Sequence, residues 1–273
     1  MITFPNAKIN LGLNIVSRRP DGYHNIETVF YPIPLTDSLE IVPAEGSEST
    51  LTCYGRVVDC PTEKNLVMKA YRMMEKEFGL PPVDIYLVKH IPDGAGLGGG
   101  SSDASFCMKM LNDMFKLGCT AEQLAKMASK IGADCPFFIH NKPMMATGIG
   151  DEFTPTDVCL KGKHMLLVKP DVSVPTKAAY AQVTPAPSAK PIPEILSDAM
   201  ENWQKELVND FEKSVFAQYP SLAEIKRTLL NSGATYAAMS GSGSSIFGIF
   251  SCAEMAEKAA DNFKEYSHFV IQL

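Results

Sequence analysis

The chain predicts an α+β fold in two parts, on three observations. In the first half, a β-branched and aromatic run at residues 83–90 leads into a loop, and five of the seven residues from Gly94 to Gly100 are glycine. Helical spacing follows at Ala104, Met108, Leu111 and Phe115. In the last third the pattern runs strand, helices, two strands, helix, strand, the split arrangement of an antiparallel layer covered by helices. Between these regions, polar and turn residues near 155–163 break the pattern, so residues 1–158 and 159–273 are expected to form separate domains. A chain of 273 residues is long enough for both to bury a core.

Residues 3–15 alternate, with Ile9, Leu11, Leu13 and Ile15 on one face and Asn6, Lys8, Asn10 and Gly12 on the other, which predicts a half-buried strand. A turn at Arg19-Pro20-Asp21-Gly22 precedes Tyr23, His24 and a second strand reaching Ile33. Strand character continues at 37–42 and 49–53. Asn65 caps a helix that uses Leu66, Ala70, Met73 and Met74 and stops at Gly79. Thr120 and Gln123 form a capping box for a helix over 120–131. Beyond the break, the expectation is a strand at 164–169, a short helix at 175–182, a proline-rich loop at 185–193 and helices within 193–231, interrupted by Pro220. A strand pair then flanks Ser240-Gly241-Ser242-Gly243-Ser244-Ser245, and a helix at 253–263 precedes the last strand.

Composition narrows the function. A hydrophobic content of 45% with 21% charged residues describes an ordinary soluble protein. The net charge of -6 argues against nucleic acid or an acidic membrane as the main partner. Seven cysteines without a C-x-x-C pair suit buried or free thiols in a reducing compartment. No basic-then-apolar leader opens the chain, and no apolar run approaches the ~20 residues of a membrane span, so a cytoplasmic location is expected.

The glycine loop carries the chemistry. Strand, glycine loop and helix start together form a phosphate cradle: glycines let the backbone approach an anion, and the helix end offers unpaired N–H groups and a positive dipole. The plain alternative, a Gly/Ser linker, does not explain why strand and helix flank the loop. No Lys-Ser or Lys-Thr closes the loop, so the P-loop pattern fails. Gly94, Gly96 and Gly99 satisfy G-x-G-x-x-G, but a helix stands where a dinucleotide fold needs a strand ending in an acid about 20 residues on. The protein-kinase motifs are absent as well.

Lys8 shares a strand face with Asn10, and it reads either as a solvated lysine or as a cation for phosphoryl transfer. Asp134, between Gly132 and Pro136, reads either as a helix cap or as a base that takes a hydroxyl proton. Tyr23 and His24 are either core residues or a base-stacking and edge-bonding pair. The Ser240–Ser245 turn is a plain hairpin or a second source of backbone donors.

Pro5-Asn6-Ala7-Lys8-Ile9-Asn10-Leu11, Pro92-Asp93-Gly94-Ala95-Gly96-Leu97-Gly98-Gly99-Gly100-Ser101-Ser102-Asp103-Ala104 and the Ser240–Ser245 turn together resemble the three motifs of the GHMP kinases. Asp21-Gly22-Tyr23-His24, Gly132-Ala133-Asp134-Cys135-Pro136 and Asn209-Asp210-Phe211-Glu212 resemble the branch acting on a cytidyl diphosphate substrate. The resemblance implies a ribosomal-protein-S5-domain-2-like ATP domain over 1–158 and a ferredoxin-like α+β domain over 159–273, with the active site between them. It implies ATP as donor, Mg²⁺ arriving with ATP and no protein metal ligand. The acceptor would be the 2-hydroxyl of 4-diphosphocytidyl-2-C-methyl-D-erythritol. ATP would lie on Pro92 to Ser102 with Asn65 and Lys89 on the adenosine side, and Lys8 and Asp134 would be the catalytic pair. Asn10, Tyr23, His24, Thr176, Tyr180, Gly241, Ser242 and Gly243 would meet the acceptor, with Tyr23 and Tyr180 enclosing the base. Asp93 departs from the apolar residue common after the proline, and Phe211 from the commoner leucine. A kinase for mevalonate or homoserine would have no use for the Tyr23–His24 pair. A nucleotide sensor without turnover would need no Lys8 and Asp134.

Overall fold

Asn65 begins the first long helix, α1 (Leu66–Phe78), by accepting the Val67 N–H at 2.9 Å, and Gly79 ends it with φ 65°. The computed structural model describes residues 1–57 and 60–273. They divide into two units interleaved along the chain: Met1–Ala7, Leu35–Asp93 and Gly98–Lys142 in the first, Lys8–Pro34, Gly94–Leu97 and Pro143–Leu273 in the second.

The first unit holds a four-stranded sheet in the order β1 (Ile2–Thr3), β4 (Ser38–Pro43), β6 (Val83–Lys89), β5 (Thr50–Gly55). β4 runs antiparallel to β1 and β6, and β5 runs parallel to β6. Leu39, Ile41, Val83, Ile85 and Leu87 share a core with Tyr71 and Met74 of α1 and with Cys107, Met108 and Leu111 of α2 (Gly99–Met114). Leu124 of α3 (Ala121–Ala128), entered through the Thr120/Gln123 capping box, and Ile139 of α4 (Cys135–His140) complete it.

The second unit has two sheets. One runs β2 (Asn6–Arg18), β3 (His24–Thr36), β7 (Met144–Thr147), β8 (Glu152–Pro155). The other runs β10 (Tyr236–Met239), β11 (Ile246–Phe250), β9 (His164–Lys169), β12 (Ser267–Gln272), antiparallel at every pairing. β11 lies between β9 and β10, the split βαβ layer that the element order predicts. α8 (Phe211–Gln218), α9 (Pro220–Asn231) and α10 (Ala253–Ala260) supply Phe211, Val215, Leu222, Ile225 and Ala256 to its core. Pro220 takes the first position of α9, where its missing N–H costs nothing. α5 (Thr176–Ala181), α6 (Ile192–Ser197) and α7 (Met200–Glu206) precede these helices.

β2 differs from its half-buried expectation, since every residue from Ala7 to Ile15 is buried. Its polar face is covered as well: Asn10 N–H faces Ser240, Asn14 donates to Ser188, and Ala186 N–H donates to the Ile15 carbonyl. The proline-rich stretch is therefore bonded along β2.

Candidate active site

In the first unit α2 starts from the last glycines of the loop. Gly98 is the N-cap residue with φ 70°, and no side chain caps the helix. A β-carbon at Gly99 would lie 3.0 Å from Ile91 and 3.3 Å from Lys89 Nζ, so the backbone there lies hard against its support. Ser102 N–H bonds Gly98 O at 2.9 Å, while the N–H groups of Gly99, Gly100 and Ser101 precede the first helical acceptors. Those donors and the helix dipole suit an anion. Ser102 Oγ is fully buried and has no hydrogen-bond partner. Leu66, next to the Asn65 cap, would lie 3.7 Å from a β-carbon at Gly100, so α1 and α2 begin side by side.

Lys89, expected on the adenosine side, has its ammonium committed elsewhere. It pairs with Asp37 and, at 2.7 Å, with Asp103, and all three are nearly sealed from solvent. Asp37 also accepts the His90 and Ile91 N–H groups at 2.5 and 2.8 Å, pinning the end of β6 where the loop departs. Burial pulls the Lys89 ammonium down, but the Asp103 and Asp37 carboxylates outweigh it and leave the pKa above its ordinary value. Burial pushes the Asp103 carboxyl up to about 8, with Lys89 pulling against it and Asp37 adding to the rise. The cluster ties the end of β6 to the start of α2, and sequence reasoning missed both of its carboxylates.

Asp134 occupies the N-cap position of α4, yet its side chain makes no capping bond. The helix start leans on α2: the Ser105 hydroxyl lies 2.9 Å from Ser101 O and 2.7 Å from Cys135 O. A β-carbon at Gly132 would stand 3.8 Å from Ser101 Oγ, which brings the Asp134 turn to the first turn of α2.

In the second unit, Lys8 is 4% exposed, which removes the solvated-lysine reading. Its ammonium donates to Asn10 Oδ1 at 2.6 Å and lies 4.6 Å from the Phe30 ring centroid. The Lys8 N–H donates to Leu97 O at 3.0 Å, and Ser240 Oγ donates to Gly96 O at 2.8 Å. A β-carbon at Gly96 would fall 1.9 Å from Ser240 O, so glycine is required there by the hairpin turn, whatever a phosphate needs. Gly241 follows at once, and its β-carbon would be 3.4 Å from Asn10 Oδ1.

The remaining residues expected to meet the acceptor form a second run of contacts. Thr176 Oγ1 and Ser242 Oγ are 3.1 Å apart. One turn along α5, Tyr180 stacks on His24 with centroids 5.0 Å apart and planes at 16°, and it meets Phe211 edge-on at 4.8 Å. Tyr23 is 60% exposed, which excludes the core reading. Asn209-Asp210-Phe211-Glu212 proves to be a clasp. Asn209 Nδ2 donates to Met239 O and Gly241 O, both at 2.8 Å, Glu212 accepts the Met239 N–H, and Asp210 accepts the Ile15 N–H. Gly243 closes the turn with its N–H to Ser240 O at 3.0 Å, and a β-carbon there would fall 2.7 Å from Met239 Sδ. Exposed Asp93 sits at the turn that opens the glycine loop. Among the described residues no group of three His, Cys, Asp or Glu side chains stands together as a metal site.

Known proteins share this arrangement. Family models described as "GHMP kinases N terminal domain" and "GHMP kinases C terminal" match residues 65–142 and 189–268. The 4-diphosphocytidyl-2-C-methyl-D-erythritol kinase of Bacteroides fragilis is 56% identical over 260 residues, covering 94% of this chain and 95% of its own. That of Parabacteroides distasonis is 54% identical over 269 residues, covering 98% and 96%. A solved 4-(cytidine 5'-diphospho)-2C-methyl-D-erythritol kinase superposes with a TM-score of 0.85 at 31% identity, covering 99% of this chain and 98% of the other. The mevalonate kinase of Methanococcus jannaschii shares the fold, with a TM-score of 0.75 at 15% identity over 100% and 98% of the two chains. With its glycine-capped helix start, its buried Lys8–Asn10 pair and relatives alike over nearly their full length, the chain belongs to the 4-diphosphocytidyl-2-C-methyl-D-erythritol kinase family of the GHMP kinases.

Proposed function

We propose that this chain transfers the γ-phosphoryl group of ATP to the 2-hydroxyl of 4-diphosphocytidyl-2-C-methyl-D-erythritol, giving the 2-phosphate and ADP. The step belongs to the methylerythritol phosphate route to isoprenoid precursors. The observation that carries this reading is the 54–56% identity to kinases of that name along nearly the whole chain. The stacked His24–Tyr180 pair and the exposed ring of the preceding residue, Tyr23, support it, because mevalonate and homoserine have no base to stack.

Asp134 takes the proton of the 2-hydroxyl as the oxygen attacks the γ-phosphorus and ADP departs with the bridging oxygen. Lys8 offsets charge on the transferring oxygens, and Asn10 orients the ammonium. The first-turn N–H groups of α2 hold phosphate, with Asn65 near the adenosine. Thr176, Tyr180, Gly241, Ser242 and Gly243 hold the acceptor with Tyr23 and His24. Mg²⁺ brought by the nucleotide would neutralise phosphate charge, and the orphaned Ser102 hydroxyl fits a cation at that end. The domain boundary near residue 158 belongs to the same reading, and the two family matches fall on either side of it. So does a cytoplasmic location, which the seven free thiols favour. Among the described residues no helix is long and apolar enough to cross a membrane.

The test is ADP release by the purified protein with the cytidyl substrate, mevalonate and homoserine in parallel. Turnover with the cytidyl substrate alone is expected. Comparable turnover with another alcohol, or ATP binding without turnover, overturns the assignment.

A further inference from the structure

Asn10 meets two neighbours whose demands are opposite. Lys8 Nζ, a donor only, lies 2.6 Å from one end of its amide, and Thr28 Oγ1 lies 2.9 Å from the other. An amide rotated by half a turn would set its NH₂ against the ammonium, so the Oδ1 end must face Lys8. What prevents the rotation is decided one residue further away. The Thr28 hydroxyl has a single proton, and it is 2.5 Å from the Gly12 carbonyl, a group that only accepts. Its proton is thereby committed to Gly12, and toward Asn10 it presents a lone pair that only an N–H can satisfy.

Gly12 is positioned for this role. Its φ of 66° is one that residues with a side chain rarely adopt, and a β-carbon there would fall 2.6 Å from Leu207 Cδ1. Thr28 is fully buried, so bulk solvent does not reach its hydroxyl. Two residues along β3, on the same face, Phe30 places its ring beneath the Lys8 ammonium.

We propose that Thr28 is a positioning residue for phosphoryl transfer, setting through Gly12 and Asn10 the direction in which the Lys8 ammonium is held. This rests on the catalytic role given to Lys8 above. The chain Gly12 O, Thr28 Oγ1, Asn10 amide, Lys8 Nζ has one consistent polarity, and removing the hydroxyl leaves the ammonium alone to hold the amide in place. Thr28 touches neither ATP nor acceptor in this scheme, so its loss should appear in kcat and spare the KM for ATP, while the acceptor KM follows Asn10.

The experiment compares wild type, Thr28→Val, Thr28→Ser, Asn10→Ala, the Thr28→Val/Asn10→Ala double variant and Lys8→Ala, measuring kcat, both KM values and Tm. Thr28→Val keeps the shape and loses the hydroxyl, and kcat should fall about 10-fold with KM for ATP within about 2-fold. Thr28→Ser restores the hydroxyl and should recover most of kcat. In the Asn10→Ala background, Thr28→Val should add no further loss, because there is no amide left to orient. If the valine variant does not fold, Thr28→Ala takes its place with the same expectations. A hydroxyl-less variant with wild-type kcat, a serine variant as slow as the valine one, or a full additional loss in the Asn10→Ala background overturns the proposal. Full activity of Lys8→Ala would instead overturn the parent reading, and the two failures are distinct.

Discussion

Asp134 stands where a carboxylate ordinarily caps a helix, yet α4 begins without its help. On the mechanism proposed above, Asp134 serves as the base and not as the cap of α4. Asp134→Asn should lower kcat by about 10²-fold or more while Tm and ATP affinity stay near wild type, as read by steady-state kinetics, calorimetry and thermal melting. Asp103 behaves differently, because its carboxyl serves the fold. Its pKa rises from 3.8 unfolded to about 8 folded, so between those limits the folded state binds more protons than the unfolded one. Stability from this group is therefore greatest at low pH and is lost as pH climbs toward 8. Lys89, with its raised pKa, keeps its contribution until the pH passes the ordinary lysine range. Wild-type Tm should accordingly fall between pH 5.5 and 8.5. Asp103→Asn, which keeps an oxygen for Lys89 and cannot ionise, should show a shallower fall over that span. An equal slope in both proteins would assign the pH dependence to other groups.

On the proposed reading, α5 and the β10–β11 hairpin shape the acceptor side: Thr176 and Tyr180 lie one helical turn apart and meet Ser242 and His24. The exposed Tyr23 ring is the part of this surface that a base can still cover. Stacking is worth roughly 1–3 kcal/mol, so Tyr23→Ala should raise KM for the cytidyl substrate about 5- to 150-fold. ATP's KM and Tm should not change, and Tyr23→Phe should be nearly silent. Elements of this kind were legible where local chemistry decides them: Asn65 and Gly79 bracket α1, the Thr120 box opens α3, and the split pattern ordered the last four strands. β7 and β8 were not, because four-residue strands around Gly148 and Gly150 carry no period long enough to read. The motifs marked the candidate residues Lys8 and Asp134 for the same local reason. Asp37 and Thr28 stayed hidden because each acts on residues far along the chain, Lys89 and Asn10, and nothing near them in sequence marks it. The burial of Lys8 was likewise illegible, since what covers β2 comes from residues near 97, 188 and 240.

For the molecule as a whole, a net charge of -6 opposes two anionic substrates, so attraction must come from local donors such as the α2 start and Lys8. Salt should then screen a weak overall repulsion. Raising ionic strength from about 0.05 to 0.3 M should leave kcat/KM unchanged or slightly higher, by less than about 3-fold. A steep fall with salt would point to long-range steering by a basic surface.

The interleaved path of the chain also has a timetable. Translation releases the whole of the first unit's sequence by Lys142, when the second unit has only Lys8–Pro34 and Gly94–Leu97 available. β2 and β3 are among the first strands synthesised, yet the β7 partner of β3 arrives only at Met144–Thr147. Leu13, Ile15 and Ile26 wait longer still, for core neighbours running from Leu166 to Phe263. A nascent chain therefore carries one unit able to close early and an apolar strand pair that stays open until synthesis is nearly complete. During that interval the apolar side chains of this pair lack their core neighbours, so a chain cut short before residue 166 should aggregate more readily than the full chain.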